Sequence, residues 1–298
     1  MSALFFILFF LFSPLVIGTS PLLVRAENTA QSRASQTVAL LTSPSTIRNG
    51  DAVLFELRGK FLSDVLSGTF LGNKIDFFVY KNRTIALLPV DFSKKAGTYD
   101  AKVVFKDGTE IVQKVTVESR TKQVEKLGIP EKLGGNSATS TAHLVTELDR
   151  ENAELNVVYR FAHKAYWTNS FVPPVLNSFV TDGYGIVRDT NGTSLTHKGA
   201  DYRAAIGTPV YAVNRGVVRV SKYFNAYGNG IIVDHGLGLH TIYLHLSKRF
   251  VMPGQLVLPG QLIGLAGDTG YAEAAHLHIS IKIDGISIDP VEFFGLFK

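Results

Sequence analysis

Cysteine is absent from the 298 residues of this chain. The fold therefore gains no stability from disulfide bonds, and no lipid can be attached through an N-terminal cysteine. A strong excess of one charge is also lacking, because 30 Lys and Arg residues stand against 25 Asp and Glu residues. This scattered, mild positive balance argues against a nucleic-acid partner.

The chain also lacks an apolar run long enough for an ordinary transmembrane helix, which needs about 20 residues. Residues 3–18 are almost entirely apolar, and small residues near Ala26 suit a signal peptidase. We expect residues 1–26 to be a secretory signal peptide, although the positively charged start of such a segment is missing. The alternative is an uncleaved membrane anchor, and contact with a membrane is expected only in that case. Residues 27–37 are polar and predict a mobile leader.

Short runs rich in β-branched and aromatic residues recur between residues 38 and 118. Such spacing predicts a mostly β fold, with an immunoglobulin-like β-sandwich as an N-terminal accessory domain. The dipeptide Asp107 and Gly108 indicates a hairpin turn. Inward-facing positions are expected at Val103, Phe105, Val112 and Val115. The segment has no histidine cluster, so it is interpreted either as a binding or positioning module or as a spacer.

Residues 119–168 predict a linker and one helix. Apolar residues from Leu144 to Phe161 recur at helical spacing, opposite a charged face. Thr139 or Thr141 is the expected N-cap. The apolar stripe must be buried against another part of the protein.

The last predicted domain, residues 169–298, has no long helical period, and its strand and turn patterns predict an antiparallel β-sheet. Histidines are concentrated in this domain. Six of the eight histidines lie between His197 and His278. His276 and His278 alternate around Leu277, so both imidazoles should share one face of a strand. A catalytic zinc takes three His or carboxylate ligands and leaves one position for water. Spacing therefore indicates a zinc site, with five candidate residues: His197, Asp201, His245, His276 and His278.

The remaining histidines have other expected roles. His235 precedes a glycine at a strand end and is interpreted as structural. His240 is expected to face away from His245 and to be exposed, and His143 and His163 are expected to be solvated. Tyr243 stands two positions before His245 and should share its face, where it either lines a groove or packs in the core.

Residues 171–294 resemble the lysostaphin/LytM-type zinc metallopeptidases, which cut the peptide part of bacterial peptidoglycan. The resemblance covers about two fifths of the chain and rests on motifs in family order, at 197–202, 207–212, 228–236, 243–247, 260–264, 267–270, 276–278 and 289–290. It implies a catalytic domain of the duplicated hybrid motif type that binds one zinc ion per chain. By the same resemblance His197, Asp201 and His278 are the zinc ligands, and His245 and His276 are catalytic histidines that do not bind the metal.

The resemblance implies an exported zinc endopeptidase of the periplasm or cell envelope, acting on peptidoglycan cross-links. The chain departs from the family pattern on both sides of the motif at 276–278, with Ala274 and Ala275 before it and Ile279 and Ser280 after it. These departures bear on substrate preference. The alternative function is a non-catalytic wall-binding activator of another hydrolase, and a weaker one is cleavage of ordinary proteins. The five intact site residues favour the enzyme. A regulatory protein is a further candidate partner, through the β-sandwich or the helix, and the helix itself is hypothesised to lie across the catalytic groove and restrain it.

Overall fold

The computed structural model describes residues 37–126, 128–159, 165–167, 170–190 and 192–297. The expected signal peptide, the leader up to residue 36, Phe161 and His163 lie outside these residues. The described residues all fall in one compact unit spanning residues 37–298. Among them, no helix combines the length and the apolar character that crossing a membrane requires.

The N-terminal half of the described chain consists of short strands. They are β1 (Ala39–Ser43), β2 (Ile47–Arg48), β3 (Ala52–Arg58), β4 (Val65–Phe70), β5 (Asn73–Lys74), β6 (Phe78–Tyr80), β7 (Arg83–Pro89), β8 (Gly97–Phe105) and β9 (Glu110–Glu118), with a 3-10 turn at Leu62–Asp64. One sheet has the order β1-β3-β7-β6 and the other β2-β9-β8-β4-β5. Both sheets contribute to one apolar core, in which Phe55 and Phe70 pack edge to face at 5.1 Å. A two-sheet sandwich is therefore present, and its assignment to the immunoglobulin type stays a prediction.

The predicted inward positions are correct with one exception. Val103, Phe105 and Val115 are buried, whereas Val112 is 48% exposed. Side chains alternate along a strand, so Val112 and Val115, three positions apart, cannot share a face of β9. The predicted hairpin at Asp107 and Gly108 is confirmed, since it joins the antiparallel strands β8 and β9.

The connecting segment is tied to the rest of the protein. It contains β10 (Val124–Lys126), a 3-10 turn at Glu131–Leu133 and α1 (Ala138–Val158). The N-cap of α1 is Ser137, whose side chain accepts a hydrogen bond from the backbone N–H of Ser140 at 3.1 Å. The predicted caps Thr139 and Thr141 were wrong, because the helix begins earlier and includes both residues.

The C-terminal half is again built from strands. They are β11 (Val180–Asp182), β12 (Val187–Thr190), β13 (Thr193–Thr196), β14 (Ala200–Arg203), β15 (Pro209–Tyr211), β16 (Gly216–Phe224), β17 (Gly228–Gly236), β18 (Leu239–Leu246), β19 (Lys248–Arg249), β20 (Leu256–Val257), β21 (Leu262–Leu265), β22 (His276–Ile283) and β23 (Ile286–Ile288), followed by the short helix α2 (Pro290–Gly295). The largest sheet has the order β11-β14-β22-β18-β17-β16-β20, with β23 paired to β22. Small sheets β10-β12-β13 and β15-β21-β19 flank it. In the large sheet β22 lies between β14 and β18, so three distant segments meet side by side.

The sandwich and the large sheet share a buried aromatic interface. Trp167 is 2% exposed and lies 4.7 Å from Tyr80 of the sandwich and 5.2 Å from Phe297, measured between ring centroids. Beside this cluster, Arg120 donates a hydrogen bond to Asp289 at 2.8 Å and pairs with the buried carboxylate of Asp51. Apolar packing and a largely buried ion pair therefore join the two halves.

Candidate active site

The structure brings His197, Asp201 and His278 together at the edge shared by β14 and β22. Asp201 and His278 are directly opposite each other in the antiparallel register of these strands. Asp201 Oδ1 lies 2.8 Å from His278 Nδ1, and His197 Nε2 lies 3.0 Å from the same nitrogen. One donor atom from each residue lies within 4.8 Å of the others. We call this set the metal triad.

The outer atoms of the metal triad are held by neighbouring groups. His197 Nδ1 lies 2.8 Å from the carbonyl oxygen of Gly183, which can only accept a hydrogen bond, so this nitrogen carries the proton and Nε2 presents its lone pair. His278 Nε2 lies 2.8 Å from Ser280 Oγ, and Arg188 donates to Asp201 Oδ2 at 2.7 Å. Such outer partners fix the orientation of metal-binding side chains. Two imidazole nitrogens and one carboxylate oxygen converging in this way suit a divalent cation such as zinc.

The lack of a side chain at Gly199 makes room for the metal triad. A Cβ atom at Gly199 would lie 2.5 Å from His278 Nε2 and 2.6 Å from the carbonyl oxygen of Ile279. Any side chain at this position would therefore displace His278, which explains a glycine between His197 and Asp201.

A second pair of histidines stands beside the metal triad. The rings of His245 and His276 are 4.9 Å apart, and His245 lies 6.1 Å from the ring of His278. The Nδ1 atoms of His245 and His276 each lie 2.8 Å from a backbone carbonyl, of Thr269 and Ala274 respectively. Both Nδ1 atoms therefore donate, which leaves the two Nε2 atoms as acceptors. His276 Nε2 lies 3.7 Å from Asp201 Oδ1, so it is directed toward the metal triad.

The expectation that Tyr243 and His245 share a face was wrong. Tyr243 is fully buried in the core, and its hydroxyl accepts a hydrogen bond from the backbone N–H of Val213 at 3.0 Å. His245 has a φ of +59°, a left-handed conformation that L residues rarely adopt. Regular strand alternation breaks at this residue, and His245 lines the same cavity as Leu244 and His278. Of the two roles left open for Tyr243, packing is the one observed.

The two remaining histidines of this sheet are both buried. His235 is structural as predicted, because its ring nitrogens lie 2.8 Å from the carbonyl oxygen of Arg215 and 2.8 Å from Thr241 Oγ1. The prediction that His240 is exposed was wrong, since its exposure is 0%. The ring of Tyr159, at the end of α1, packs against it edge to face at 5.2 Å. The helix therefore covers a strand face that the sequence pattern assigned to solvent, and exposed His143 is the helix histidine that matches its prediction.

Burial controls the protonation of the site. Desolvation, together with the neighbouring His276 and His278, lowers the pKa of His245 to about 3. Desolvation alone would raise the pKa of Asp201, but hydrogen bonds and charge interactions with His197 and His278 lower it below its usual range. Near neutral pH the site therefore offers an ionised carboxylate and a neutral His245 that can accept a proton.

Helix α1 lies over the site. A cavity of about 590 Å³ is lined by α1 residues such as Leu148 and Asn152 together with His197, His245 and His278. Leu144 of α1 belongs to an apolar cluster that includes Leu195 from one side of the site and Ala226 and Tyr271 from the other. The helix therefore reaches both walls of the groove that contains the metal triad.

One carboxylate anchors α1 to the groove wall. Glu151 is 0% exposed and accepts hydrogen bonds from three consecutive backbone N–H groups, those of Asn225 at 2.5 Å, Ala226 at 3.2 Å and Tyr227 at 3.2 Å. We call these three groups the amide cradle. The neighbouring Asn152 Oδ1 accepts a hydrogen bond from the Tyr227 hydroxyl at 3.0 Å. The carbonyl oxygen of Tyr227 in turn accepts from the backbone N–H of His245 at 3.0 Å.

The position of these features agrees with a known family. Residues 195–290 match the family model described as Peptidase family M23. The C-terminal region carries an M23 peptidase domain. The matched segment of this M23 domain contains the metal triad, His245 and His276, whereas α1 lies outside it.

Among curated proteins, the chain is similar to the peptidoglycan DD-endopeptidases ShyC and ShyA of Vibrio cholerae. It is 40% identical to ShyC over 99 residues and 41% identical to ShyA over 96 residues. These matches cover 33% and 32% of this chain, and 23% and 22% of the relatives' own lengths. The similarity is thus confined to less than a quarter of each relative.

The fold resembles a solved structure over most of its length. A crystal structure of a candidate M23 peptidase from Pseudomonas aeruginosa covers 84% of this chain, and 96% of that chain is matched, with a TM-score of 0.62. The identity is 23%, so the likeness establishes a shared fold. The mostly β architecture with an M23-type C-terminal domain is confirmed.

Sequence reasoning did not find every residue that shapes the site. Ser280 was noted only as a departure from the family pattern, although its place two positions after His278 predicts a shared strand face. Arg188 and Glu151 act on residues that are distant in sequence, and no local pattern pointed to them.

Proposed function

We propose that this protein is a zinc-dependent endopeptidase that hydrolyses peptide cross-links of bacterial peptidoglycan. The convergence of His197, Asp201 and His278 within an M23 domain is the observation that carries this proposal. The similar DD-endopeptidases of Vibrio cholerae suggest the substrate class. An exported location, in the periplasm or cell envelope, follows from that substrate and from the expected signal peptide.

The residues divide into a metal-binding and a catalytic group. Zinc would be held by His197 Nε2, His278 Nδ1 and Asp201 Oδ1. The second carboxylate oxygen of Asp201 accepts a hydrogen bond from Arg188. When bound, zinc supplies Lewis acidity toward an amide carbonyl and makes water more acidic. His245 and His276 contribute acceptor nitrogens beside this position, so they would orient the attacking water, take its proton and stabilise the negative charge that develops on the carbonyl oxygen.

The bond most consistent with this proposal is the direct link between D-alanine and diaminopimelate, to which the name DD-endopeptidase of the relatives adds support. A glycine bridge, present in other walls, is the alternative target. The non-catalytic activator is the alternative function, and the five intact site residues speak against it.

Helix α1 is proposed to restrain the enzyme. It contacts both walls of the groove, lines the cavity above the metal triad and places the buried carboxylate of Glu151 in the amide cradle. A cross-link between two glycan strands is bulky, so it requires this helix to shift before it can reach His278. A regulatory partner that binds α1 or the β-sandwich would provide the trigger.

Metal content and digestion of purified peptidoglycan test the function together. We expect His278→Ala to lose zinc and hydrolysis, and His245→Ala to keep zinc but lose hydrolysis. Lys248→Ala, an exposed change in the same domain, serves as the control and should retain both. Hydrolysis that persists in either histidine variant would contradict the role given to that residue. A folded, zinc-loaded chain that binds peptidoglycan without cutting it, both as wild type and with α1 loosened by Glu151→Gln, would instead favour the activator.

A further inference from the structure

One strand face continues from the metal triad along the groove. His276, His278, Ser280 and Lys282 alternate on β22, so they share a face. At a rise of about 3.3 Å per residue, Lys282 lies about 13 Å beyond His278. Lys282 lines the same cavity of about 590 Å³ as His197, His245 and His278.

Lys282 is a cation without a carboxylate partner. Among the described residues, no Asp or Glu lies within ion-pair distance of its Nζ atom, which lies over the Tyr159 ring, 4.4 Å from the ring centroid. Asp91 and Asp149 line the same cavity without pairing with it. Desolvation by burial, with the charge of Lys198, lowers the pKa of Lys282 to about 8.

An unpaired cation in such a place costs free energy, because it is partly removed from water without an opposite charge to compensate. The paired cations nearby behave differently: Arg188 binds Asp201 at 2.7 Å and Arg219 binds Asp234 at 2.7 Å. Lys198, next to the metal ligand His197, lines the cavity as well and has no carboxylate partner among the described residues. Two unpaired lysines thus line one cavity and make it attractive to an anion.

We propose that Lys282, assisted by Lys198, binds a free carboxylate of the peptide substrate at the far end of the groove from the metal triad. The inference rests on the proposed peptidase function, since it makes the groove a peptide-binding site. Peptidoglycan stem peptides carry free carboxylates, and a lysine ammonium group binds them through charge-assisted hydrogen bonds. The site therefore selects peptides with a negative charge at a fixed distance from the bond that is cut.

The test measures binding and does not depend on hydrolysis. The probes are N-acetyl-D-alanyl-D-alanine and its C-terminal amide, which differ only in the charged group and are small enough for the cavity with α1 in place. In the full chain we expect the acid to bind about tenfold more tightly than the amide, as one charge-assisted hydrogen bond supports. Lys282→Met should abolish this preference, whereas Lys282→Arg should keep most of it.

Lys248→Met is the matched control, because Lys248 also lies over an aromatic ring, at 5.4 Å from the centroid of Phe250, but does not line the cavity. It should leave the preference for the acid unchanged. Equal affinities of the wild-type chain for acid and amide, or no binding of either, would overturn the proposal. So would a preference that survives in Lys282→Met. A chain that prefers the acid through Lys282 yet cuts no peptidoglycan, even with α1 loosened by Glu151→Gln, would leave this site intact and reject the enzyme.

Discussion

Nε2 of His197 lies 3.0 Å from Nδ1 of His278, although 81 positions separate the two residues in sequence. The contact exists because β14 and β22 pair directly, with Asp201 opposite His278. In the proposed enzyme, a shared cation would stabilise two nitrogens this close to one carboxylate. The geometry of the metal triad therefore depends on the pairing of these two strands and on the groups that hold each ring.

Removing the Ser280 hydroxyl should weaken metal binding without destroying the fold. Ser280 Oγ lies 2.8 Å from His278 Nε2 and fixes the orientation of that ring. We expect Ser280→Ala to reduce zinc affinity about 10- to 100-fold, the range seen when a group that is hydrogen-bonded to a metal ligand is removed. A competition titration with a zinc chelator measures this. Ser221→Ala, which removes a hydroxyl bonded to the carbonyl oxygen of Val251, is the control and should leave the affinity unchanged.

Loosening α1 should raise the rate of peptidoglycan hydrolysis. Glu151→Gln removes the charge that the amide cradle binds, which should weaken docking of the helix by about 1–3 kcal/mol. The expected result is faster hydrolysis with unchanged zinc affinity. Glu154→Gln, which alters an exposed pair with Lys222 on the same helix, should change neither. If Glu151→Gln folds normally and hydrolyses no faster than wild type, α1 does not restrain the enzyme.

Acid should destabilise the fold partly through His235. Burial lowers the pKa of His235 to about 4 from an ordinary value of 6.5. Between these values the unfolded chain binds a proton that the folded chain does not, so stability is full above pH 6.5 and falls as the pH drops toward 4. The loss from this residue should be about 3 kcal/mol. Denaturant unfolding at pH 7 and pH 4 should show a smaller loss for His235→Gln than for wild type, and equal losses would contradict this account.

Tyr80→Phe should stabilise the interface between the sandwich and the M23 domain. The Tyr80 hydroxyl is buried and has no hydrogen-bond partner among the described residues. Removing an unsatisfied polar group while keeping the ring should gain about 1 kcal/mol. Tyr80→Ala, by contrast, should cost about 3–5 kcal/mol, because it opens a cavity beside Trp167. Denaturant midpoints measure both changes, and a destabilised Tyr80→Phe would show that the hydroxyl is satisfied in solution.

Local periodicity predicted those parts of the site that lie in regular structure. The alternation of His276, Leu277 and His278 placed both imidazoles on one face and Leu277 in the core, where it is fully buried. The same reasoning failed at His245, because its positive φ reverses the alternation that Tyr243 follows. Nothing in the neighbouring residue types signals such a conformation for a histidine.

Tertiary contacts account for the other differences. His240 occupies a position that a two-sided sheet would expose, but Tyr159 of the connecting segment covers it. The burial of Glu151 likewise depends on backbone N–H groups more than 70 positions away along the chain. The spacing of apolar residues along a strand or a helix predicts that element alone. It does not predict that a helix distant in sequence covers one face of the sheet.

The aromatic cluster around Trp167 has a mechanical consequence. Because Tyr80 interlocks with Trp167 and Phe297, and Arg120 bridges Asp51 and Asp289, the β-sandwich cannot swing on its connection as a tethered module would. When the sandwich binds a surface, that contact therefore also fixes the orientation of the groove relative to the surface. The sandwich would thus determine which way the candidate active site faces.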